Sequence, residues 1–369
     1  MKTQAAVLKA ASTDLEITEL DVAELQPGEV LVRIAGVGVC HTDLGVIAAP
    51  ADGQTPIVLG HEGSGVIEAI GSGVTQLEVG DSVVLSYAHC GACDNCESGV
   101  PQHCREFIPR NLTGARVDGT TPLSEDGSPV LGAWFGQSSW ARHAVVDEQN
   151  AIKVDADLPL EILGPLGCGI QTGAGAVLNT LNPPSGTSIA IFGVGSVGLA
   201  ALLGAVVAGC TTIVAVDIDD SRLETARAFG ATHTVNSSTV DAVEEIVRVT
   251  GGGTRFSVDC IGLPTVVSAA INCLQTPGTC ATVGFQGLPN QLPIDQGNLL
   301  FGKSLIGVIE GDAVPREFIP RMIELYRKGR FPFDKLIERF SFAEINMAID
   351  AAHHGKVTKA VLVLDDAEG

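Results

Sequence analysis

Short apolar or alternating segments, separated by glycine, proline and aspartate, run through residues 1 to about 155. Clear examples are residues 5–8, 29–34 and 82–85. Runs of this length between turn-forming residues are typical of β-strands. The pattern predicts a β-rich first region, and the polar, aperiodic segment at 105–129 predicts a long loop within it.

A different alternation occupies residues from about 170 to 305. The short apolar runs 188–192 and 212–216 indicate strands, and the segments 197–208 and 221–229 that follow them indicate helices. Strands that alternate with helices are typical of a parallel sheet with helices on both faces. The pattern therefore predicts an α/β protein with a doubly wound parallel sheet behind the β-rich region.

The length of 369 residues suggests about two domains, at roughly 100–200 residues per domain. The chain has 22 lysine and arginine residues against 43 aspartate and glutamate residues, a formal net charge of −21. Such an acidic surface repels phosphate backbones, which argues against a nucleic-acid partner. The most apolar stretch, 199–208, is too short to span a bilayer, and residues 1–4 do not lead into a signal sequence. We expect a cytoplasmic protein with no membrane partner.

A glycine-rich turn lies between the first predicted strand and helix of the second region. Gly193, Gly195 and Gly198 fit the pattern G-x-G-x-x-G, and Asp217 ends the next strand 19 residues after Gly198. Such glycines let the backbone approach a pyrophosphate at a helix N-terminus. Asp217 can accept hydrogen bonds from ribose hydroxyls and repels a 2′-phosphate, so NAD is favoured over NADP, although Arg222 weakens that preference. A glycine turn in a fold without nucleotide is the alternative.

Four of the ten cysteines lie close together with two, two and seven residues between them: Cys90, Cys93, Cys96 and Cys104. Thiolates at this spacing suit tetrahedral Zn²⁺, and a closed four-sulfur shell gives zinc a structural role. An iron–sulfur cluster is the alternative, although bacterial cluster motifs end in a three-residue gap and Cys-Pro. We therefore expect a structural zinc lobe at 90–104.

Three further residues of ligand type are dispersed along the chain: Cys40, His61 and Cys168. Composition alone makes each an ordinary buried side chain, and no spacing rule links them. The motifs around them are Cys-His-Thr-Asp at 40–43, Gly-His-Glu-Gly-Ser-Gly at 60–65 and Gly-Cys-Gly at 167–169.

These motifs, with the four-cysteine lobe and the glycine turn in the same order, resemble the zinc-dependent medium-chain alcohol dehydrogenases. The resemblance covers the whole chain, and residues 164–173 bring it closest to the bacterial aryl-alcohol (benzyl alcohol) dehydrogenases. It implies NAD-linked oxidation of a primary, aromatic alcohol to its aldehyde. Alternatives within the family are S-(hydroxymethyl)glutathione and terpene alcohols such as geraniol. An NAD-binding protein with structural zinc alone is the alternative from a different class.

The resemblance implies a catalytic zinc held by Cys40, His61 and Cys168, in addition to the structural one, so two zinc ions per subunit. Asp43 would hydrogen-bond the ring N–H of His61 and fix its orientation. Glu62 would lie behind the metal, although a plain buried structural acid is the alternative.

The resemblance also implies contacts to the cofactor and the substrate. Thr42 would accept the proton of the substrate hydroxyl. His41 and Lys359 would reach the cofactor pyrophosphate, and Thr172 and Val197 would border the nicotinamide.

Aromatic side chains are expected around the substrate. Tyr87, Trp134 and Phe135 fall at or near pocket-lining positions of the family, and aromatic walls suit a planar ring. Buried core positions are the alternative, since aromatic residues of a β-rich domain are usually core.

Gly45 departs from many relatives, which carry a histidine three residues after the hydroxyl that takes the substrate proton. That histidine passes the proton from the cofactor ribose to solvent. We expect a shorter path here, from Thr42 through the ribose to water, with a steeper pH dependence of alcohol oxidation.

The architecture expected is a discontinuous GroES-like catalytic domain at 1–169 and 309–369, with the zinc lobe at 90–104, and an NAD-binding Rossmann domain at 170–308. The active site would lie in the cleft between the domains. The family further implies a homodimer or homotetramer that acts on a small-molecule alcohol or aldehyde.

Overall fold

The computed structural model of the protein describes residues 1–9, 14–287 and 289–364. The chain forms two compact units, of which the first comprises Met1–Cys168, Val314–Arg321 and Asp334–Gly369, and the second comprises Gly169–Ala313 and Met322–Phe333. The division after Cys168 lies one residue from the expected domain boundary. Later in the chain the two differ, because residues 309–313 and 322–333 lie with the second unit.

The strands of the described residues, in chain order, are β1 (Lys2–Leu8), β2 (Glu16–Val22), β3 (Glu29–Gly38), β4 (Ile57–Val58), β5 (Gly63–Ile70), β6 (Ser82–Leu85), β7 (Leu123–Glu125), β8 (Ser128–Val130), β9 (His143–Asp147), β10 (Ala151–Val154), β11 (Ser188–Phe192), β12 (Thr212–Asp217), β13 (His233–Asn236), β14 (Thr254–Asp259), β15 (Leu274–Thr282), β16 (Lys303–Gly307), β17 (Ile337–Ser341) and β18 (Lys359–Val363).

The α-helices of the same residues are α1 (His41–Ala48), α2 (Asp94–Glu97), α3 (Phe107–Asn111), α4 (Gly169–Gly175), α5 (Ser196–Ala208), α6 (Asp220–Ala228), α7 (Ala242–Thr250), α8 (Pro264–Asn272), α9 (Gln296–Leu300), α10 (Pro315–Arg327) and α11 (Ile345–His353). None of these helices combines the length and the apolar character that crossing a bilayer requires.

The first unit is built from two sheets. A five-stranded sheet has the order β4-β1-β2-β7-β8, and a seven-stranded sheet has the order β10-β6-β5-β3-β18-β17, with β9 also paired to β3. Strand β3 is buried along most of its length because β5, β9 and β18 all pair with it. This sheet places the start of β5 and the start of β18, which carry residues near the candidate metal site, beside the end of β3.

The second unit contains one six-stranded sheet with the order β13-β12-β11-β14-β15-β16, and all neighbouring strands in this order are parallel. This is the strand order of a Rossmann fold. Helix α5 is buried over Gly198–Ala205 in agreement with its continuous apolar sequence. The predicted strands at 188–192 and 212–216 and the helices after them are confirmed, as is the α/β fold class.

The prediction of a long loop at 105–129 is wrong in part. The segment contains helix α3 and strand β7, and strand β8 begins near its end. Elements of three to five residues are too short to produce a period of 2 or 3.6 that stands out in a sequence.

Candidate metal sites and dinucleotide-binding turn

Cys40 occupies the position that precedes helix α1, with φ −116° and ψ 151°. Its backbone N–H donates to Asp43 Oδ2 at 3.3 Å, so the carboxylate of Asp43 reaches back over the first turn of the helix. The side chain of Cys40 in turn faces the backbone N–H of Asp43, so the two residues form a capping box. Such a box satisfies N–H groups that the start of a helix leaves unpaired. The local sequence thus fixes Cys40 and Asp43 relative to each other before any longer-range contact is made.

Asp43 is fully buried and its Oδ1 accepts three hydrogen bonds. The donors are the imidazole Nδ1 of His61 at 2.9 Å, the backbone N–H of Gly60 at 3.2 Å and the indole Nε1 of Trp134 at 3.0 Å. A carboxylate accepts, so His61 carries its proton on Nδ1 and the lone pair of Nε2 faces away from Asp43.

The side chains of Cys40, His61 and Cys168 converge, with their ligand atoms all within 4.8 Å of one another. Nε2 of His61 is buried and finds no hydrogen-bond partner among the described residues. A buried nitrogen with a free lone pair beside two sulfur atoms is suited to a metal ion. Two cysteines and one histidine form a set that zinc accepts, and three protein ligands allow a tetrahedral ion one exogenous ligand. The residues present therefore fit zinc.

The electrostatics of this group also favour a cation. A hydrogen bond from Cys168 has the largest influence on Cys40 and holds its thiol pKa well below the usual range, against the opposing effect of burial. Burial opposes a charge on His61, yet Asp43 and Cys40 raise its pKa well above the usual value. Negative charge therefore concentrates where a metal ion would bind.

Glu62 and Lys359 form a buried ion pair close to Cys40. The Lys359 ammonium donates to Glu62 Oε1 at 2.9 Å, to Oε2 at 2.8 Å and to the carbonyl of Val39 at 3.2 Å. Burial opposes the ammonium, but Glu62 raises the pKa of Lys359. These three acceptors match the three N–H donors of Lys359, so its ammonium is engaged by Glu62 and Val39. The pyrophosphate contact expected of Lys359 stays a prediction.

The four-cysteine lobe is assembled by helix α2 and the turns around it. Sγ of Cys93 and Cys96 lie 3.5 Å apart, and Sγ of Cys90 and Cys96 lie 3.9 Å apart. Backbone N–H groups donate to these sulfurs, as from Cys93 to Cys90 at 3.2 Å and from Cys90 to Cys104 at 3.3 Å. The backbone N–H of Arg105 lowers the pKa of the Cys93 thiol to about 6. The ligand atoms of all four lie within 4.8 Å of one another, so the set fits a tetrahedral metal ion.

The glycine turn of the second unit links β11 to α5. Gly193 has φ 82°, a conformation that favours glycine. A methyl group on Gly198 would overlap the carbonyl oxygen of Gly193, whereas one on Gly195 would meet no atom within 4 Å. Gly198 therefore permits close packing of helix and strand, and Gly195 keeps the backbone at the helix start accessible.

Asp217 is 6% exposed at the end of β12. Its Oδ2 accepts from the backbone N–H of Val194 at 2.9 Å, and its Oδ1 accepts from Ile218 at 2.8 Å. Arg222 Nη1 lies 3.9 Å from the same Oδ1. The carboxylate is thus tied to the glycine turn, in the position from which a ribose could be bound.

Four further predicted residues lie on α-helices, and of these helices the sequence predicted only the one that carries Val197. His41 and Thr42 open α1, and Thr42 Oγ1 accepts from Cys40 Sγ at 3.8 Å. Thr172 lies on α4 and Val197 in the first turn of α5, in the second unit. The roles expected of these residues stay predictions.

The three predicted pocket residues are all buried, with Tyr87 and Trp134 2% exposed and Phe135 5% exposed. Phe135 stacks on the imidazole of His61 with ring centroids 4.3 Å apart and an interplanar angle of 21°. Phe107, which the sequence did not single out, contacts both Tyr87 and Phe135, with centroids 5.9 Å and 6.5 Å apart. The aromatic residues thus form a connected cluster in which Phe135 contacts His61, and their pocket role stays a prediction.

Gln137 was also missed by the sequence analysis. It is fully buried, its Nε2 donates to the carbonyl of His61 at 3.0 Å, and its Oε1 accepts from the backbone N–H of Gly63 at 3.1 Å. No motif marks a glutamine that holds a distant backbone segment, so only the fold could reveal this contact.

The chain is similar to known alcohol dehydrogenases in sequence and in structure. Residues 26–156 match the family described as "Alcohol dehydrogenase GroES-like domain", and residues 196–328 match "Zinc-binding dehydrogenase". The chain is 47% identical to a geraniol dehydrogenase of Castellaniella defragrans over 98% of this chain and 97% of that protein. It is 35% identical to an S-(hydroxymethyl)glutathione dehydrogenase of Synechocystis sp. over 98% and 100% of the two chains. The crystal structure of benzyl alcohol dehydrogenase from Acinetobacter calcoaceticus is similar with a TM-score of 0.95 and 44% identity, over 99% of this chain and 100% of that one.

Proposed function

The chain belongs to the zinc-binding alcohol dehydrogenases of the medium-chain family, and from this premise we propose that it oxidises benzyl-type primary alcohols to aldehydes with NAD as hydride acceptor. The observation that carries the proposal is the convergence of Cys40, His61 and Cys168, with the buried Nε2 of His61 directed at no other partner among the described residues. Similarity to a benzyl alcohol dehydrogenase supports the substrate class.

Cys40, His61 and Cys168 would hold the catalytic zinc, and Cys90, Cys93, Cys96 and Cys104 a structural zinc, which makes two zinc ions per subunit. A zinc ion held at the first of these sites would supply Lewis acidity, which favours loss of the hydroxyl proton of a bound alcohol. Asp43 accepts the Nδ1 proton of His61, which fixes the orientation of the ring and leaves Nε2 as the nitrogen that would bind zinc.

The remaining residues serve proton removal and cofactor binding in this proposal. Thr42, in the first turn of α1 with its hydroxyl oxygen 3.8 Å from Sγ of Cys40, accepts the hydroxyl proton and passes it on. His41 takes part in holding the cofactor pyrophosphate. Bound NAD would supply the hydride acceptor, so that the overall reaction converts alcohol and NAD into aldehyde, NADH and a proton. The turn at Gly193–Gly198 receives the pyrophosphate, and Asp217 receives the ribose hydroxyls.

An allylic terpene alcohol of the geraniol type is the second candidate, favoured by the 47% identity to a geraniol dehydrogenase. Benzyl alcohol and geraniol both present a CH₂OH group attached to an sp² carbon. The test is NADH formation by the purified protein with benzyl alcohol, cinnamyl alcohol, geraniol, ethanol, and formaldehyde with glutathione. We expect kcat/KM to be highest for benzyl or cinnamyl alcohol. Highest kcat/KM for geraniol would favour the second candidate, and turnover of the glutathione adduct alone would refute both.

A homodimer or homotetramer is proposed as the working form. Among the described strands, β16 has a neighbour on one side only, and the residues before it expose large apolar side chains, with Leu300 70% and Phe301 73% exposed. Apolar residues beside an unpaired strand edge favour association with another chain. Light scattering of the purified protein should give twice or four times the mass of one chain, and a monomer would contradict the proposal.

Gly195 and Gly198 of the nucleotide turn should respond differently to substitution by alanine. Gly195→Ala should leave stability unchanged, because its methyl group meets no protein atom, but should raise the Kd for NAD about tenfold or more because it intrudes on the pyrophosphate. Gly198→Ala should lower the free energy of unfolding by about 1–3 kcal/mol, because its methyl group overlaps Gly193. Urea unfolding and NAD titration check both. Equal NAD affinity of Gly195→Ala and the parent would contradict the role assigned to the turn.

Gly45→His should make alcohol oxidation less dependent on pH. Position 45 lies three residues after Thr42 on α1, is exposed, and has no atom within 4 Å of a Cβ built there, so a side chain can start at this position without a clash. A histidine at this position offers a second proton acceptor near neutral pH. The measurement is the pH profile of kcat for benzyl alcohol, with Gly45→Ala as the matched control. If the histidine and alanine profiles coincide, the expected short proton path is not limiting.

A further inference from the structure

Trp134 shares a hydrogen-bond acceptor with His61. Its indole N–H donates to Asp43 Oδ1, the same oxygen that accepts from Nδ1 of His61. An indole N–H can only donate, so this bond cannot be reversed when the metal site changes its protonation. Trp134 therefore helps to hold Oδ1 in place, and through it the position of Nδ1.

Phe135 contacts the face of the same imidazole. The rings are 4.3 Å apart between centroids and nearly parallel, and the Trp134 ring meets Phe135 edge-on at 5.3 Å. A stacked neighbour opposes tilting of the imidazole out of its plane, whereas the bond to Asp43 opposes rotation within that plane. The two restraints on His61 are therefore complementary.

The backbone of this turn is held in an unusual conformation. Phe135 has φ 51° and ψ 32°, in the left-handed region that side chains rarely adopt, and Ser138 has φ 49°. Ser138 Oγ accepts from the backbone N–H of Trp134 at 2.8 Å and donates to the carbonyl of Val58 at 2.6 Å. Strained residues of this kind persist where surrounding contacts hold them, and they cluster at functional sites.

We propose that Trp134 and Phe135 form a clamp on the imidazole of His61 that fixes the direction of Nε2 toward Cys40 and Cys168. They are positioning residues for the metal ligand, Trp134 through Asp43 and Phe135 by direct stacking. The proposal rests on the proposed function insofar as His61 must bind zinc. It differs from the pocket role in its consequence, because a clamp governs metal retention and a pocket wall governs substrate affinity.

The test compares Trp134→Phe with Trp140→Phe in the zinc-loaded enzyme. Trp140 is the other tryptophan of the chain, is fully buried, and directs its indole N–H at the carbonyl of Gly38 at 3.4 Å instead of at Asp43. Both variants lose one indole N–H and retain an aromatic ring. The measurements are the rate of zinc release to a chelator, the absorption spectrum of the cobalt-substituted protein, and KM and kcat for benzyl alcohol.

Trp134→Phe should release the zinc of the Cys40, His61 and Cys168 site up to about 10-fold faster than the parent, less than the roughly 10- to 100-fold typical for the direct partner of a metal-bound histidine, because Trp134 acts through Asp43. Trp140→Phe should release it at the parent rate. Phe135→Leu should also accelerate release and alter the cobalt spectrum. In an Asp43→Asn background, Trp134→Phe should add little further effect, because it acts through Asp43.

Parent-like zinc release by both Trp134→Phe and Phe135→Leu would overturn the clamp, and a rise in KM without a change in zinc release would assign these residues to the pocket instead. A parent protein that binds two zinc ions but oxidises none of the alcohols would refute the proposed function while zinc release still decides the clamp. A parent that binds only the zinc of the four-cysteine lobe would refute both.

Discussion

His61→Ala is expected to lower kcat/KM for alcohol oxidation about 10³-fold or more and to reduce the zinc content by one ion per chain. The Lewis acidity of zinc contributes several kcal/mol to the reaction, and each 1.36 kcal/mol corresponds to a factor of ten in rate. His61 supplies the only imidazole of the candidate ligand set among the described residues. Zinc analysis and initial rates of NADH formation on the same preparation provide the measurement.

The matched control is Cys93→Ser in the four-cysteine lobe. This variant should also lose one zinc ion per chain, because it breaks the other ligand set. Turnover per folded molecule should nevertheless remain, since that metal takes no part in the chemistry. Retention of full activity by His61→Ala, or equal loss of activity in both variants with the fold intact, would contradict the assignment of the two sites.

Lys359→Met is expected to lower the free energy of unfolding by about 3–5 kcal/mol, because it leaves the carboxylate of Glu62 buried without its partner. Lys359 is 2% exposed and Glu62 fully buried, so water cannot replace the lost contacts. Folding stability is best measured by urea unfolding of the metal-loaded protein near neutral pH.

The double variant Glu62→Gln/Lys359→Met distinguishes charge burial from packing. With the carboxylate neutralised, most of the lost stability should return, as expected for two residues that interact directly. If the double variant is as unstable as the sum of the single ones, the ion pair does not determine stability here. Lys359→Arg is a useful further control because it retains the positive charge.

The sequence predicted the second unit well because its elements are long and its turn is local. Five-residue apolar strands, the thirteen-residue helix α5 and the turn at Gly193–Gly198 are all contiguous in the chain. The four-cysteine lobe was predictable for the same reason. Short elements such as α3 and β7 were missed, because three to five residues carry too little periodicity.

The candidate catalytic site was less accessible to sequence reasoning. Cys40, His61 and Cys168 are far apart in the chain, and only family resemblance connected them before the fold brought their ligand atoms within 4.8 Å. Contacts such as that of Gln137 with the carbonyl of His61 leave no trace in composition or spacing. The ion pair between Glu62 and Lys359 joins residues 297 positions apart, and only the pairing of β18 with β3 places Lys359 there.

The most direct test of the account is zinc content per chain measured together with NADH formation from benzyl alcohol on one preparation of the purified protein. We predict two zinc ions per chain and turnover of benzyl alcohol, with turnover lost when a chelator removes the ion held by Cys40, His61 and Cys168 and restored by added zinc. One zinc ion per chain and no oxidation of any alcohol in the panel would instead identify an NAD-binding protein in which the metal is structural only.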